Sequence, residues 1–369
     1  MGMRRLVALF DGTWEKPESC TNVERLRRLI APRDAAGAEQ RVEYFAGVGV
    51  GVMSRLAHLL GGAFGYGFAG TVKDGYRWLC RQWQPGDQIW LFGFSRGAYT
   101  ARSLAGMIRK CGLLRRDGDG GIGHAAVAAA YAFYRNCAIK PGDAAAIAWR
   151  AACSVETDIH FIGAWDTVGA LGIPHTAAWF PFARTRYEFH DTELSHIVKH
   201  AYQALALDEH RADLAPTKWT RNPATLAPGE SRTDKKAGQL DMEQRWFVGA
   251  HGDIGGSYLH DGAGRTSDPL SDLALAWLQH KAIAAGLACS ETFLPPPDAE
   301  LGTPRDSYAE FMFGLYKLFR PPYDRVLGGG VNETLDSSVW RHASRTDYRS
   351  PTLEQALRND VIPAPPGVA

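Results

Sequence analysis

The stretch Asp87-Gln88-Ile89-Trp90-Leu91-Phe92-Gly93-Phe94-Ser95-Arg96-Gly97-Ala98-Tyr99-Thr100-Ala101-Arg102 decides the fold. Pro85-Gly86-Asp87 reads as a turn, and Ile89 to Phe92 is an apolar run of strand length. Gly93-Phe94-Ser95-Arg96-Gly97 is a G-x-S-x-G pentapeptide, and Ala98, Ala101, Leu104, Ala105 and Ile108 follow it at helical spacing. Strand, pentapeptide and helix in this order predict a nucleophile elbow, with a serine held on a sharp turn. Glycines flank such a serine because a strained backbone and a close helix–strand approach leave no room for a Cβ. The helix N-terminus beneath Ser95 presents backbone N–H groups, and that of Arg96 would stabilise a developing oxyanion. A plain βα turn can carry the same string, so the elbow reading depends on partners elsewhere in the chain.

Length and composition set the frame for those partners. The 369 residues suffice for one large domain, and the hydrophobic (45%) and charged (22%) fractions are ordinary for a globular protein. A formal net charge of +1 argues against a nucleic-acid partner and against an electrostatic membrane anchor. The six cysteines are scattered without a C-x-x-C pair and read as free thiols, neither a disulfide frame nor a zinc site. Leu6 to Phe10 is too short for a signal-peptide core and no apolar stretch spans a bilayer. Synthesis in the cytoplasm without a signal peptide is therefore expected, with export by a non-Sec route left open.

Outward from the elbow, Leu6–Phe10 and Val42–Phe45 read as strands, and Val23, Leu26, Leu29 and Ile30 form the apolar face of a helix capped by Thr21 or Asn22. The glycine-rich run from Gly47 to Gly51 and on to Gly70 lacks both the P-loop ending and the full dinucleotide fingerprint, so it reads as close packing. Val72–Trp83 is a predicted helix, and residues 111–155 form a helical insertion made of Ala125–Asn136 and Asp143–Cys153. Ile159–Ala164 and Trp246–Ala250 are further buried strands, with a helix expected from about Ser195 to Leu207 and another capped by Ser267 or Asp268. Segments 170–240 and 285–350 read as irregular and lid-like, and the tail from Pro363 as frayed. The alternation predicts one α/β domain over 1–369, a three-layer α/β/α sandwich with a mostly parallel sheet.

Ligands of such sheets bind beyond the C-terminal strand ends, where Asp11, Ser95, Asp166 and His251 all fall. Serine needs a histidine base that is itself oriented by a carboxylate, and elbow hydrolases run Ser, Asp or Glu, His along the chain. Ser95 is thus the expected nucleophile, Asp166 the orienting carboxylate and His251 the base, with His200, eight residues before Asp208, as alternative base. A second oxyanion donor is expected from Asp11-Gly12-Thr13, with Asp11 holding that loop through Asn22 or Arg96. Asp11, Asp166, His251 and Asp253 could instead converge on Mg²⁺ or Ca²⁺ for phosphoryl chemistry, although no metal-ligand spacing is present. A non-catalytic binding module that keeps the hydrolase shape is the remaining alternative.

Several blocks then fall in order: Phe10-Asp11-Gly12-Thr13-Trp14 with Thr21-Asn22-Val23, Gly93 to Ala98, Trp165-Asp166-Thr167-Val168-Gly169, Ala204 to Glu209, Trp246 to His251 with Asp253 and Gly255-Gly256, and Leu270-Ser271-Asp272 to Trp277. Ser338-Val339 to Tyr348 also looks similar to the family's end. In these blocks the chain resembles the α/β-hydrolase family that includes type VI secretion phospholipase effectors. The resemblance implies an esterase or phospholipase that needs no cofactor, acting on a lipid or small ester through Ser95, Asp166 and His251. It is compatible with transient membrane-surface contact, and with a secretion apparatus or an immunity protein as partner, though no residue pattern marks either protein. Housekeeping hydrolysis of other esters fits it too. Trp179-Phe180-Pro181-Phe182 and the run Phe311 to Arg320 are candidates for a greasy lip, or for ordinary core.

Overall fold

Leu6, Val7, Ala8, Leu9 and Phe10 are all fully buried, so the strand they form is covered on both faces. Alternate side chains enter separate cores: Leu6, Ala8 and Phe10 one, Val7 and Leu9 the other. The computed structural model describes residues 2–47 apart from 14 and 16, 64–116, 121–169, 193–258 apart from 223–225, 227, 228, 232, 237 and 238, and 268–362. Trp179–Phe182, the glycine-rich residues 48–63, Ser267 and the tail from Pro363 lie outside the described residues.

The main sheet contains β1 (Arg5–Phe10), β2 (Gln40–Phe45), β3 (Gln88–Phe94), β6 (Ile159–Trp165), β7 (Val198–Ala206), β8 (Asp241–Phe247) and β9 (Glu333–Leu335). Their order is β2-β1-β3-β6-β7-β8-β9, and every neighbouring pair is parallel. The short strands β4 (Leu113–Leu114) and β5 (Ser154–Val155) form a separate antiparallel pair. Helices Phe64–Gln82, Arg96–Cys111 and His124–Arg135 contribute to the core on one face of the sheet. Helices Asn22–Leu29 and Pro269–Ala284 contribute to the core on the other. This is the three-layer α/β sandwich expected from the alternation. Because the strands are parallel, all their C-terminal ends reach one edge, and that places the site.

Two expectations are corrected. Residues 195–207 are not a helix, because Val198 to Ala206 is strand β7, paired with β6 on one side and β8 on the other. Alanine-rich sequence favours a helix in isolation, but a slot between two parallel strands, buried on both faces, overrides that preference. The segment 285–350 is not wholly irregular either, since it supplies β9 and the helix Ser337–Arg345. With the helix Pro351–Arg358, these contribute Val339, Leu353 and Ala356 to a third core that also holds Leu205 and Trp246. Among the described residues no helix is long and apolar enough to cross a membrane.

At the elbow the glycines are a steric necessity. A Cβ on Gly97 would lie 2.1 Å from the Phe10 carbonyl oxygen, and one on Gly93 would lie 2.5 Å from the Gly97 carbonyl carbon. Both contacts are with backbone, which has nowhere to go. Gly97→Ala is therefore expected to lower the unfolding free energy by about 2 kcal/mol or more in a denaturant titration. Gly142→Ala, whose Cβ would meet nothing within 4 Å, should change it by less than about 0.5 kcal/mol.

Candidate active site

Ser95 follows β3 with φ 57° and ψ −122°, a conformation L-residues rarely adopt, and the helix Arg96–Cys111 starts at the next residue. Its N–H donates to the Trp165 carbonyl at 2.9 Å, and Phe94 is in register with Trp165. The end of β3 therefore lies beside the end of β6, and Ser95 beside Asp166. His251 opens the helix His251–Gly255 beyond β8. Its Nε2 lies 2.7 Å from Ser95 Oγ and its Nδ1 2.5 Å from Asp166 Oδ2. A proton on Nδ1, donated to the carboxylate, leaves Nε2 free to accept from the serine hydroxyl. All three side chains named from the sequence meet, and all are buried: Ser95 is 4% exposed, His251 8% and Asp166 0%.

Asp166 accepts four hydrogen bonds. Oδ1 accepts from the Ala206 N–H at 3.1 Å and Arg325 Nη1 at 2.7 Å, while Oδ2 accepts from Arg325 Nη2 at 2.9 Å as well as from His251. Burial alone would raise its pKa, but the Arg325 guanidinium and the His251 bond outweigh burial and hold it well below the usual carboxylate range. For His251 burial dominates and lowers the pKa below the ordinary imidazole value, against the opposing pull of Asp166. The ring is thus neutral at pH 7 and available as a base.

The backbone around His251 is held as firmly. Its N–H donates to Glu209 Oε2 at 3.2 Å, and the Ala250 N–H donates to Asp253 Oδ2 at 2.7 Å. Glu209 is gripped in turn by Arg211, whose Nε and Nη2 each donate at 2.8 Å. Burial would raise the Glu209 pKa, yet Arg211 lowers it to about 2. The Phe94 ring packs on the imidazole with centroids 4.8 Å apart.

The Asp11-Gly12-Thr13 loop borders the elbow, since a Cβ on Gly97 would also lie 2.6 Å from the Asp11 carbonyl oxygen. Asp11 does not bond Asn22 or Arg96 through the carboxylate contacts seen here. It accepts from Thr21 Oγ1, Tyr44 Oη and the Gly12 N–H, each at 2.7 Å. With the Gly12 N–H engaged by Asp11, the loop's candidate oxyanion donor becomes the Thr13 N–H. Asn22 instead ties the first helix to the His251 helix, donating to the Ile254 and Ser271 carbonyls at 2.9 Å.

His200 is not near Ser95. It aligns with Phe161 in the β6–β7 register, five residues before Asp166, which is about 16 Å along the sheet. There it packs against the His160 ring at 5.2 Å. The helical spacing to Asp208 vanished with the helix. The metal alternative also finds no geometry: among the described residues no three His, Cys, Asp or Glu side chains are grouped as a metal ion would need. Asp11 and Asp166 are instead surrounded by hydrogen-bond donors.

Residues 4–281 match the family of type VI secretion system phospholipase effectors of the Tle1-like kind, catalytic domain. The chain belongs to that family. An uncharacterized protein of Saccharomyces cerevisiae (strain ATCC 204508 / S288c), YEL023C, is 30% identical over 243 residues, covering 60% of this chain and 33% of that protein. The chain thus spans about a third of the length of this curated relative. Among solved structures, an uncharacterized protein from Pseudomonas aeruginosa is similar with 18% identity and a TM-score of 0.42, over 81% of this chain and 48% of that one. The Tle1 effector bound to the VgrG spike is similar with 18% identity and a TM-score of 0.39, over 69% of this chain and 51% of that one.

Sequence reasoning missed two residues of the site. Arg325 stands alone in Pro321-Pro322-Tyr323-Asp324-Arg325, where no spacing marks it. Glu209 ends the block Ala204 to Glu209, and its position after a strand would have marked it had β7 been read as one.

Burial lifts several other carboxyls here: Asp11 and Asp253 each to about 6, and Asp268, beside Asp253, to about 8. A folded pKa above the unfolded value contributes stability that is complete below about pH 4 and is lost as pH rises through 6 to 8. Asp166 and Glu209, both lowered, contribute stability that is lost as pH falls below about 4. Asp268 caps the helix Pro269–Ala284 by accepting from the Leu270 N–H, an acceptor that Asn keeps. Asp268→Asn is expected to exceed wild type in melting temperature by a margin that grows from pH 5 to pH 9, reaching about 2 °C or more at pH 9.

Proposed function

We propose that this chain is a serine esterase of the phospholipase type, cleaving carboxylic esters of membrane lipids through an acyl-enzyme. The observation that carries the reading is the continuous run of hydrogen bonds from Ser95 Oγ through His251 to Asp166, at the C-terminal edge of the sheet. Ser95 Oγ attacks the ester carbonyl carbon while His251 Nε2 takes its proton. The carbonyl oxygen becomes an oxyanion, held by the Arg96 N–H in the first turn of the elbow helix and by the Thr13 N–H across from it. As the tetrahedral species collapses, the ester C–O bond breaks and His251 gives its proton to the departing alkoxide. Water then repeats the sequence on the acyl-serine, releasing a fatty acid and restoring Ser95. Asp166 stays ionised throughout, stabilising the imidazolium and fixing the ring's tautomer.

Family membership supports a lipid as substrate, and so does the surface nearby. Phe311 (41% exposed), Leu315 (49%), Leu318 (75%) and Val326 (51%) crowd one short segment. That segment adjoins the site through Arg211, whose guanidinium lies 5.0 Å from the Phe311 ring centroid while pairing with Glu209. Such a surface suits a bilayer as the place where the ester is met. The family's description also supports delivery by the type VI secretion apparatus, after synthesis in the cytoplasm.

Purified protein added to phosphatidylethanolamine–phosphatidylglycerol vesicles should release free fatty acid, read by mass spectrometry. Ser95→Ala should reduce the rate by about 10³-fold or more, with EDTA without effect. Activity that survives Ser95→Ala but not EDTA would point to metal-dependent phosphohydrolysis. No release of fatty acid from vesicles or from short-chain esters would leave a binding module.

A further inference from the structure

Several of the polar groups that steady the site come from outside the stretch the family shares. The match ends at residue 281, yet Arg325 reaches back to fork Asp166, both nitrogens also donating to carbonyls, Nη1 to Ala206 at 2.9 Å and Nη2 to Leu214 at 2.7 Å. The Arg325 side chain is 0% exposed. Ser307 Oγ donates to Glu209 Oε2 at 2.8 Å, and the Arg305 N–H donates to Asp253 Oδ2 at 3.0 Å. Glu209 and Asp253 are the two carboxylates that hold the backbone at His251 and Ala250. Tyr348 Oη completes the set by donating to both oxygens of Asp208 at 2.8 and 2.9 Å. The ends of β6, β7 and β8 are therefore each tied to this later segment, β8 through Glu209 and Asp253.

We infer that the segment 299–362 completes the catalytic centre, and that Arg325 within it is the positioning residue that locks Asp166 as an anion facing His251. The inference rests on the serine-hydrolase reading and adds a group that the reading does not need. The physical reason is that a buried carboxylate beside an imidazole can respond to proton transfer in two ways: it can turn away, or it can take the proton itself. A planar guanidinium bonded to both oxygens blocks both, because it fixes the carboxylate plane and favours its ionised form. It also places a positive charge behind Asp166, which opposes protonation of His251. The charged groups around the pair are Arg325 from this segment and Glu209 with Arg211 from the loop after β7. Glu209 bonds directly to Arg211, whereas Arg325 is the cation bonded to Asp166 itself.

The test is the rate at which a fluorophosphonate labels Ser95 in the full-length chain, measured from pH 5 to 9. Arg325→Met should slow labelling by about 10- to 100-fold at pH 6 and much less at pH 9, moving the acid limb to higher pH. Arg325→Lys, which keeps the charge and loses the fork, should hold the acid limb near its wild-type position while slowing labelling by about 3- to 10-fold. Asp166→Asn/Arg325→Met removes both charges and keeps the protein falsifiable should the single variant misfold, and it should label no more slowly than Asp166→Asn alone. A wild-type protein that does not label sinks the serine-hydrolase reading. A wild type that labels, with Arg325 variants slowed equally at every pH or not at all, or a double variant slower than Asp166→Asn, overturns the role of Arg325 alone.

Discussion

A carboxylate removed from water must be surrounded by donors, and Asp166 has four of them, from an imidazole, a guanidinium and a backbone amide. Each donor arrives from a different part of the chain: His251 from beyond β8, Ala206 from the end of β7, Arg325 from the segment before β9. Their convergence is possible because the sheet is parallel and each strand is a rod aimed at the same edge. The positive φ of 41° at Asp166 is the local cost of turning its side chain into that meeting point. Without the donors, an anion would be stranded in the core. Without the anion, the guanidinium would be.

The elbow is governed by a different constraint, exclusion of volume. Ser95 stands at the corner because Gly93 and Gly97 let the strand, the helix and the backbone at Phe10–Asp11 pass within a distance that no side chain permits. The same closeness brings the loop after β1 against the turn, so one steric fact shapes both the corner at Ser95 and the loop beside it. Asp11 then uses its carboxylate to fasten that loop to Thr21 and Tyr44 rather than to take part in chemistry.

Much of this was legible in the residues, and the reasons differ from element to element. Strands such as Leu6–Phe10 were readable because a run buried on both faces is apolar at every position. Ser95 was readable because its glycines are sterically required. Asp166 and His251 were readable because each follows such a strand. β7 was misread, since Ala201, Ala204 and Ala206 suit either periodicity and only the neighbours β6 and β8 settle the choice. Arg325 had no local signature at all. Its role is defined by what lies opposite it in space, and neither Pro321-Pro322 before it nor the glycines after it carry any trace of that.

The order of these parts along the chain has a consequence for biosynthesis. Ribosomes make the hydroxyl, the carboxylate and the imidazole well before the guanidinium that neutralises their meeting place. A nascent chain with β9 still in the exit tunnel has already made Ser95, Asp166 and His251 but not yet folded Arg325 against Asp166. The hydrogen-bond set around Asp166 is thus completed late in translation, and the sheet edge that β9 covers stays open until the same moment.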